Sequence, residues 1–214
     1  MKSLTQYISE AIKHLPSSKK GLIVFDIDDT LLKCDSEIIK IYKKEPGKPE
    51  IALTTDEFAA DPDSFDINKN DWFDFRDFRD PKKVYTSIIK GTPLIKNLRI
   101  MDSYIDAGYE FCFLTARGCE ETVKDALDHF LKTKGKNGEL KELGNIFNKA
   151  LSHAVSDATK QYNGTTSADK KANVLVDLCS KYDSVVFVDD DTKNVRAAKG
   201  LNLPNLKVIK AWDD

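Results

Sequence analysis

The sequence predicts an α/β fold with a mainly parallel sheet, and three observations carry that expectation. Short runs of apolar, often β-branched residues alternate with stretches of helical periodicity along most of the chain. Three of those strand candidates run directly into polar, chemistry-bearing residues. One segment, 35–81, breaks the alternation and is rich in Asp, Phe and turn residues.

At the start, Leu4, Tyr7, Ile8, Ala11, Ile12 and Leu15 fall at helical spacing and predict an amphipathic helix within 1–18. It lacks the continuous apolar stretch of a secretory signal, so it is expected to dock on its own domain or on a partner subunit. GLIVFDIDDTLL follows, with LIVFD (22–26) as the first strand, running into Asp26, Asp28 and Asp29. Two like charges about 4 Å apart repel by about 1 kcal/mol even in water, so this crowding calls for a compensating charge. IIKIYKKEPGKPEIAL reads as two short strands around a Pro-Gly turn, a β-hairpin. With DEFAADPDSFDINKNDWFDFRDFRDP it forms an excursion over 35–81, above the carboxyl edge of the sheet, with too few aliphatic residues for a core of its own.

The alternation then resumes. PLIKNLRIMDSYIDA (93–107) places Leu94, Ile95, Leu98, Met101 and Ile105 on one helical face, with Pro93 near its start and Gly108 after its end. YEFCFLT (109–115) is the second strand, and 119–131 a helix burying Val123, Ala126, Leu127, Phe130 and Leu131. The polar, glycine-punctuated 132–144 reads as a surface excursion, and 150–155 as a third strand. A helix over 168–181, a strand over 183–189, a short helix over 194–199 and a last strand over 206–211 complete the chain. The core is therefore expected to comprise 19–34 and 82–214.

Composition bounds the function. A chain of 214 residues, 41% hydrophobic, suits one domain with a sizeable core. A formal charge of −2 and a pI near 6.0 show no basic excess of the kind that binds nucleic acid unspecifically. Cys34, Cys112, Cys119 and Cys179 form no C-x-x-C pair and no metal-ligand spacing with His14, His129 or His153, which predicts free thiols in a reducing compartment. No run approaches the length of a membrane span, so a cytoplasmic protein without a membrane partner is expected.

The chemistry gathers where strands end. In open α/β sheets, ligands bind outside the carboxyl ends of the strands. The first strand ends in Asp26-Ile27-Asp28-Asp29-Thr30, the second in Thr115-Ala116-Arg117-Gly118, and the fourth in Asp189-Asp190-Asp191. Any one of these aspartates alone reads equally well as a cap or turn residue. Two acidic clusters and a terminal threonine on one sheet edge read as a site. Grouped buried carboxylates are unfavourable unless paired or metal-bound, and oxygen ligands without His or Cys suit Mg²⁺.

Asp26-x-Asp28-x-Thr30 after an apolar strand, Thr115 ending the next, a later lysine and an Asp-Asp pair on a further strand resemble the four motifs of the haloacid dehalogenase superfamily. The order and strand contexts match from about residue 20 onward. The hairpin followed by DWFDFRDFRDP is similar to a branch of that superfamily common in tailed phages. The resemblance implies a Rossmann-like three-layer sandwich, a five-stranded sheet of order 3-2-1-4-5, and a flap or small cap inserted after strand 1. It implies a Mg²⁺-dependent phosphatase in which Asp26 attacks phosphorus and Asp28 serves as general acid and base. Thr115 would bind a phosphoryl oxygen, and Lys171 would balance charge, although Lys170 also fits the lysine position. Asp26, the Asp28 carbonyl and Asp190 or Asp189 would hold the metal, with Asp191 a cap and Asn194 behind the metal site. Thr30, Thr115, Arg117 and Arg79 would contact substrate.

A lean toward nucleotides or nucleic-acid 3′-phosphate ends follows from similar domains that act as polynucleotide 3′-phosphatases. For the rings of Trp72, Phe73, Phe75 and Phe78 two readings stand: packing of the flap onto the sheet, or a clamp on substrate. Ile8-Ser9-Glu10-Ala11 in the first helix resembles the cleavage site of leaders on proteins packaged into phage heads. The alternative function is accordingly a virion-packaged accessory or structural protein that associates with the capsid.

Overall fold

The computed structural model describes residues 21–64, 66–136 and 147–212. The expected N-terminal helix with its leader-like site, His14, and most of the 132–144 excursion lie outside the described residues.

In chain order the elements are β1 (Gly21–Phe25), β2 (Leu32–Lys33), β3 (Ile41–Lys43), β4 (Ile51–Leu53), α1 (Thr55–Ala60) and a 3-10 turn (Ile67–Trp72). Then come β5 (Phe73–Asp74), a second 3-10 turn (Arg76–Arg79), α2 (Pro81–Ile89), β6 (Thr92–Pro93), α3 (Ile95–Asp106), β7 (Glu110–Thr115) and α4 (Glu120–Lys136). A third 3-10 turn (Lys149–Leu151) precedes β8 (His153–Ala154), α5 (Ser167–Lys181), β9 (Ser184–Asp189), α6 (Thr192–Gly200) and β10 (Leu206–Lys210).

The main sheet has five strands in the order β10-β9-β1-β7-β8, and every neighbouring pair is parallel. Numbered by their own succession, these strands give 3-2-1-4-5, the expected order. Such a sheet is covered on both faces, so its central strands are apolar throughout rather than alternating. All five residues of β1 are buried. Ile23 and Phe25 pack with Leu98, Met101, Val123, Leu127 and Phe130, from α3 and α4. Leu22 and Val24 face the other way, onto Val174, Leu175, Leu178 and Ala198 of α5 and α6. The period of two along the strand thus splits the core into two layers.

The excursion is a three-stranded antiparallel sheet, β4-β3-β5, whose β3–β4 hairpin turns through Gly47 in the left-handed region (φ 75°). Charge holds much of it together. Buried Lys43 reaches Asp61 and Asp63 at 2.8 and 2.7 Å, Lys69 also pairs with Asp63, and Arg76 stacks 3.6 Å above the Tyr42 ring. Asp77, buried, fixes the flap to α2 by accepting from Lys40 N at 3.0 Å and pairing with Lys83 at 2.8 Å.

Three element boundaries differ from expectation. The helix expected to stop at 131 runs to Lys136, helped by an i,i+4 pair of Asp128 with Lys132 at 2.7 Å. Pro93 is not in a helix: it pairs with Leu32 in a two-residue ladder, and the helix starts at Ile95. The third strand shrinks to two residues because a 3-10 turn occupies the start of the expected run.

Candidate active site

β1 ends at Phe25, and the next six residues turn sharply. Leu31 N and Leu32 N both donate to the Ile27 carbonyl, and Asp29 adopts φ 53°. Along a regular strand Asp26 and Asp28 would face opposite ways. The turn instead puts both on one cleft of about 670 Å³, together with Thr115, Lys171, Asp190, Arg79 and the rings of Phe58, Phe75 and Phe78.

At the floor, one carboxylate oxygen from each of Asp26, Asp189 and Asp190 lies within 4.8 Å of the others. Lys171 enters from the first turns of α5, with Nζ 3.0 Å from Asp26 Oδ1 and 2.8 Å from Asp189 Oδ2. It is buried, whereas Lys170 is partly exposed, so of the two lysines it is Lys171 that joins the cluster. Asp189 is spoken for. Besides Lys171 it accepts from Asn194 Nδ2 at 3.0 and 3.1 Å and from Asp191 N at 2.9 Å, while Asp191 caps α6. Asp190 is more open: its Oδ1 accepts from Thr30 Oγ1 at 3.0 Å.

The electrostatics follow from burial. Desolvation pushes the Asp26 carboxyl well above its ordinary range, with Asp189 and Asp190 adding to the effect and Lys171 opposing it. Burial and then Asp189 push Asp190 up to about 7. Burial also disfavours charge on Lys171, but Asp26 and Asp189 outweigh it and raise its pKa. With Asp26, Asp28, Asp189 and Asp190 all ionised, Lys171 and Arg117 would balance two of the four charges, and the raised pKa values of Asp26 and Asp190 mark their burial and the unbalanced repulsion. Asp26 Oδ1 is buried and makes no well-directed hydrogen bond despite its nearness to Lys171. An all-oxygen donor set, an under-satisfied buried oxygen and carboxylates whose burial and mutual repulsion raise their pKa values fit a hard divalent cation such as Mg²⁺.

Two residues expected to meet substrate are engaged elsewhere. Arg117 is fully buried, and its guanidinium grips Asp28 in a fork, Nε–Oδ2 2.8 Å and Nη2–Oδ1 2.7 Å. Its remaining donors reach Ser87 Oγ at 2.9 Å and Cys34 Sγ at 2.7 Å, so at the cleft it holds Asp28 in place. Burial works against the charged form of Asp28, but Arg117 prevails and holds its pKa below the ordinary carboxylate value. Thr30 is also buried; its hydroxyl donates to Asp190 and accepts from Asp190 N at 3.1 Å, so it orients Asp190. Thr115 is buried at the cleft, accepting from Arg117 N at 3.3 Å. Arg79 sits on the rim, paired with Asp74 at 3.0 Å.

Other cleft residues carried no sequence signal. Lys160 and Asp157 belong to the loop beyond β8, and Phe58 to α1. Beneath that loop, buried Glu120 binds Lys124 at 2.8 Å, Tyr162 Oη at 2.6 Å, Ala154 N at 3.1 Å and Lys160. Burial disfavours its charge, yet these partners bring its pKa down to about 2. At Gly118, which follows Arg117, a Cβ would lie 3.2 Å from Arg79 Cγ and 3.3 Å from the Ser156 carbonyl, and Gly118 N donates to Phe78 O at 3.1 Å. The lack of a side chain lets flap and core approach this closely. His129 meets Tyr85 and His153 meets Tyr162, both away from the carboxylate cluster, and the four cysteines are free thiols.

No protein-family model matches the chain, and no curated protein matches it in sequence. Among the described residues no helix is long and apolar enough to cross a membrane.

Proposed function

We propose that this protein is a Mg²⁺-dependent phosphomonoester hydrolase of the haloacid dehalogenase type, working through an aspartyl phosphate on Asp26. The observation that carries the reading is the convergence of Asp26, Lys171 and Asp190 on one cleft that also holds Asp28 and Thr115, with buried Asp189 behind them on Lys171. Asp26, Asp190 and the Asp28 carbonyl would hold the cation, which when bound offsets the surplus negative charge beside the phosphoryl group.

In the first step an Asp26 oxygen attacks phosphorus, the ester P–O bond breaks, and the leaving oxygen takes a proton from Asp28. In the second, Asp28 removes a proton from water, whose oxygen attacks phosphorus and releases inorganic phosphate and the Asp26 carboxylate. The Arg117 fork holds Asp28 in the carboxylate form that the second step requires. To donate in the first step, Asp28 has to loosen that fork and take up a proton from solvent. Lys171 stabilises charge on Asp26 and on the transferring group, where catalysis consists mostly of positioning and electrostatics.

The test is phosphate release from an aryl phosphate by purified protein with and without Mg²⁺. Turnover that requires Mg²⁺ and vanishes in Asp26→Asn supports the reading. Turnover that survives Asp26→Asn, or none in a folded preparation across aryl, sugar and nucleotide phosphates, refutes it.

A further inference from the structure

The two sides of the cleft differ in chemistry. One is the floor of carboxylates and lysine; the other is an apolar wall of Ile41, Phe58, Phe75 and Phe78 contributed by the flap and its return to α2. Phe75 stands edge-on to Phe58, with centroids 5.4 Å apart, and to Phe78 at 6.1 Å, yet 39% of it remains exposed. Phe58 also meets Phe73 edge-on at 5.1 Å. The two readings of these rings therefore divide between residues: Phe73 packs into the flap, while Phe75 is buttressed by two rings and open toward the cleft.

A small sugar phosphate would occupy the floor and leave this wall wet. Resting on the hydrolase reading above, we infer that the substrate is a nucleoside monophosphate whose base seats against Phe75 while its phosphate meets the Asp26–Lys171 floor. A cleft of about 670 Å³ is the size that encloses one small ligand. A ring fixed by edge-on neighbours offers its remaining surface to a flat partner, and every base has such a face. A strand end would further need a basic track for the following phosphates. The flap side of the cleft does not supply one: among the described residues Arg79 is its one basic lining residue, and it is ion-paired with Asp74. Lys170 at the same cleft, with Lys171 on the floor, serves a single phosphate.

The experiment compares kcat/KM for adenosine 5′-monophosphate, adenosine 3′-monophosphate and thymidine 5′-monophosphate with that for ribose 5-phosphate and a 3′-phosphorylated oligonucleotide. The expected result is a preference for one or more of the mononucleotides over both comparators. The mononucleotide-to-ribose-phosphate ratio should fall about tenfold in Phe75→Ala and Phe75→Leu, the scale of one base–ring stack, and recover in Phe75→Tyr. Phe75→Leu keeps the bulk that supports Phe58 and Phe78, and circular dichroism checks that each variant is folded. A ratio near one in the wild type, a ratio unmoved by Phe75→Leu, or a preference for the oligonucleotide overturns the inference while leaving the hydrolase reading intact. Should no phosphate ester be hydrolysed, the hydrolase reading fails alone, and calorimetric binding of the same mononucleotides and ribose 5-phosphate decides. Base-dependent binding weakened by Phe75→Leu supports the inference, and binding without base preference overturns it.

Discussion

The floor of the cleft and the flap above it both hold many charges, but they stabilise them in opposite ways. On the floor, Lys171 and Arg117 are fully buried and each serves specific carboxylates across long stretches of sequence, Asp28 and Arg117 being 89 residues apart. In the flap, buried Lys43 pairs with Asp61 and Asp63, but other pairs are wet: Arg76 with Glu50, Arg79 with Asp74, Lys48 with Glu45. Exposed pairs are worth little and are screened by salt, whereas removing one partner of a buried pair strands a charge without water. The floor is thus a buried electrostatic cluster set into an apolar sheet, and the flap a cover that combines a few buried pairs with screened ones and edge-on rings.

The comparison can be broken by mutation, and the largest effect is expected on the floor. Asp26→Asn should lower Mg²⁺-dependent phosphate release by at least about 10³-fold, the scale on which a nucleophile's loss is felt, with little change in melting temperature. Lys171→Met should remove activity and also destabilise the fold by about 3–5 kcal/mol, because Asp26 and Asp189 lose their buried partner; urea unfolding measures it. In the flap, Arg76→Met, which breaks the exposed pair with Glu50, should change urea stability far less than Lys171→Met does. An equal cost would erase the distinction between the two regions.

Salt sharpens the contrast. Raising NaCl should increase amide exchange around the β3–β4 turn, where Lys48 pairs with Glu45, while leaving β1 and β9 unchanged, since only the exposed pairs are screened. The smallest effect concerns Glu120, beneath the loop that closes the core side of the cleft. Its folded pKa is lowered to about 2 from an ordinary 4.5, so its contribution is complete above about 4.5 and is lost as pH falls toward 2. Melting temperatures of Glu120→Gln should accordingly show a shallower decline than wild type between pH 4.5 and 2. An identical slope would mean that Glu120 does not carry that part of the acid sensitivity.

The floor was readable in the sequence because strand order and strand ends are governed by local pattern. An apolar run that stops at an aspartate, repeated at Asp26 and Asp189 with Thr115 between, places those groups on one edge once the strands are parallel. Which side chain meets which is a matter of tertiary packing, which no local pattern encodes: Arg117 grips Asp28 and Thr30 bonds Asp190 across 89 and 160 residues. Two helices were missed although their signals were present. Asp80 caps α2 with Pro81 in its first turn, and Thr54 with Glu57 forms a capping box on α1, but aspartate-rich turns around them masked both. Glu120 left no pattern at all, because its partners come from its own helix and from Ala154, Lys160 and Tyr162, more than thirty residues away.

The central claim is that carboxylates from β1 and β9 share one divalent cation, and titrating the protein with Mg²⁺ by calorimetry tests it most directly. One ion per chain is expected, with binding weakened severely in both Asp26→Asn and Asp190→Asn and retained in Asp191→Asn. An absence of binding in the wild type, or an ion held equally well without Asp26 and without Asp190, would contradict it.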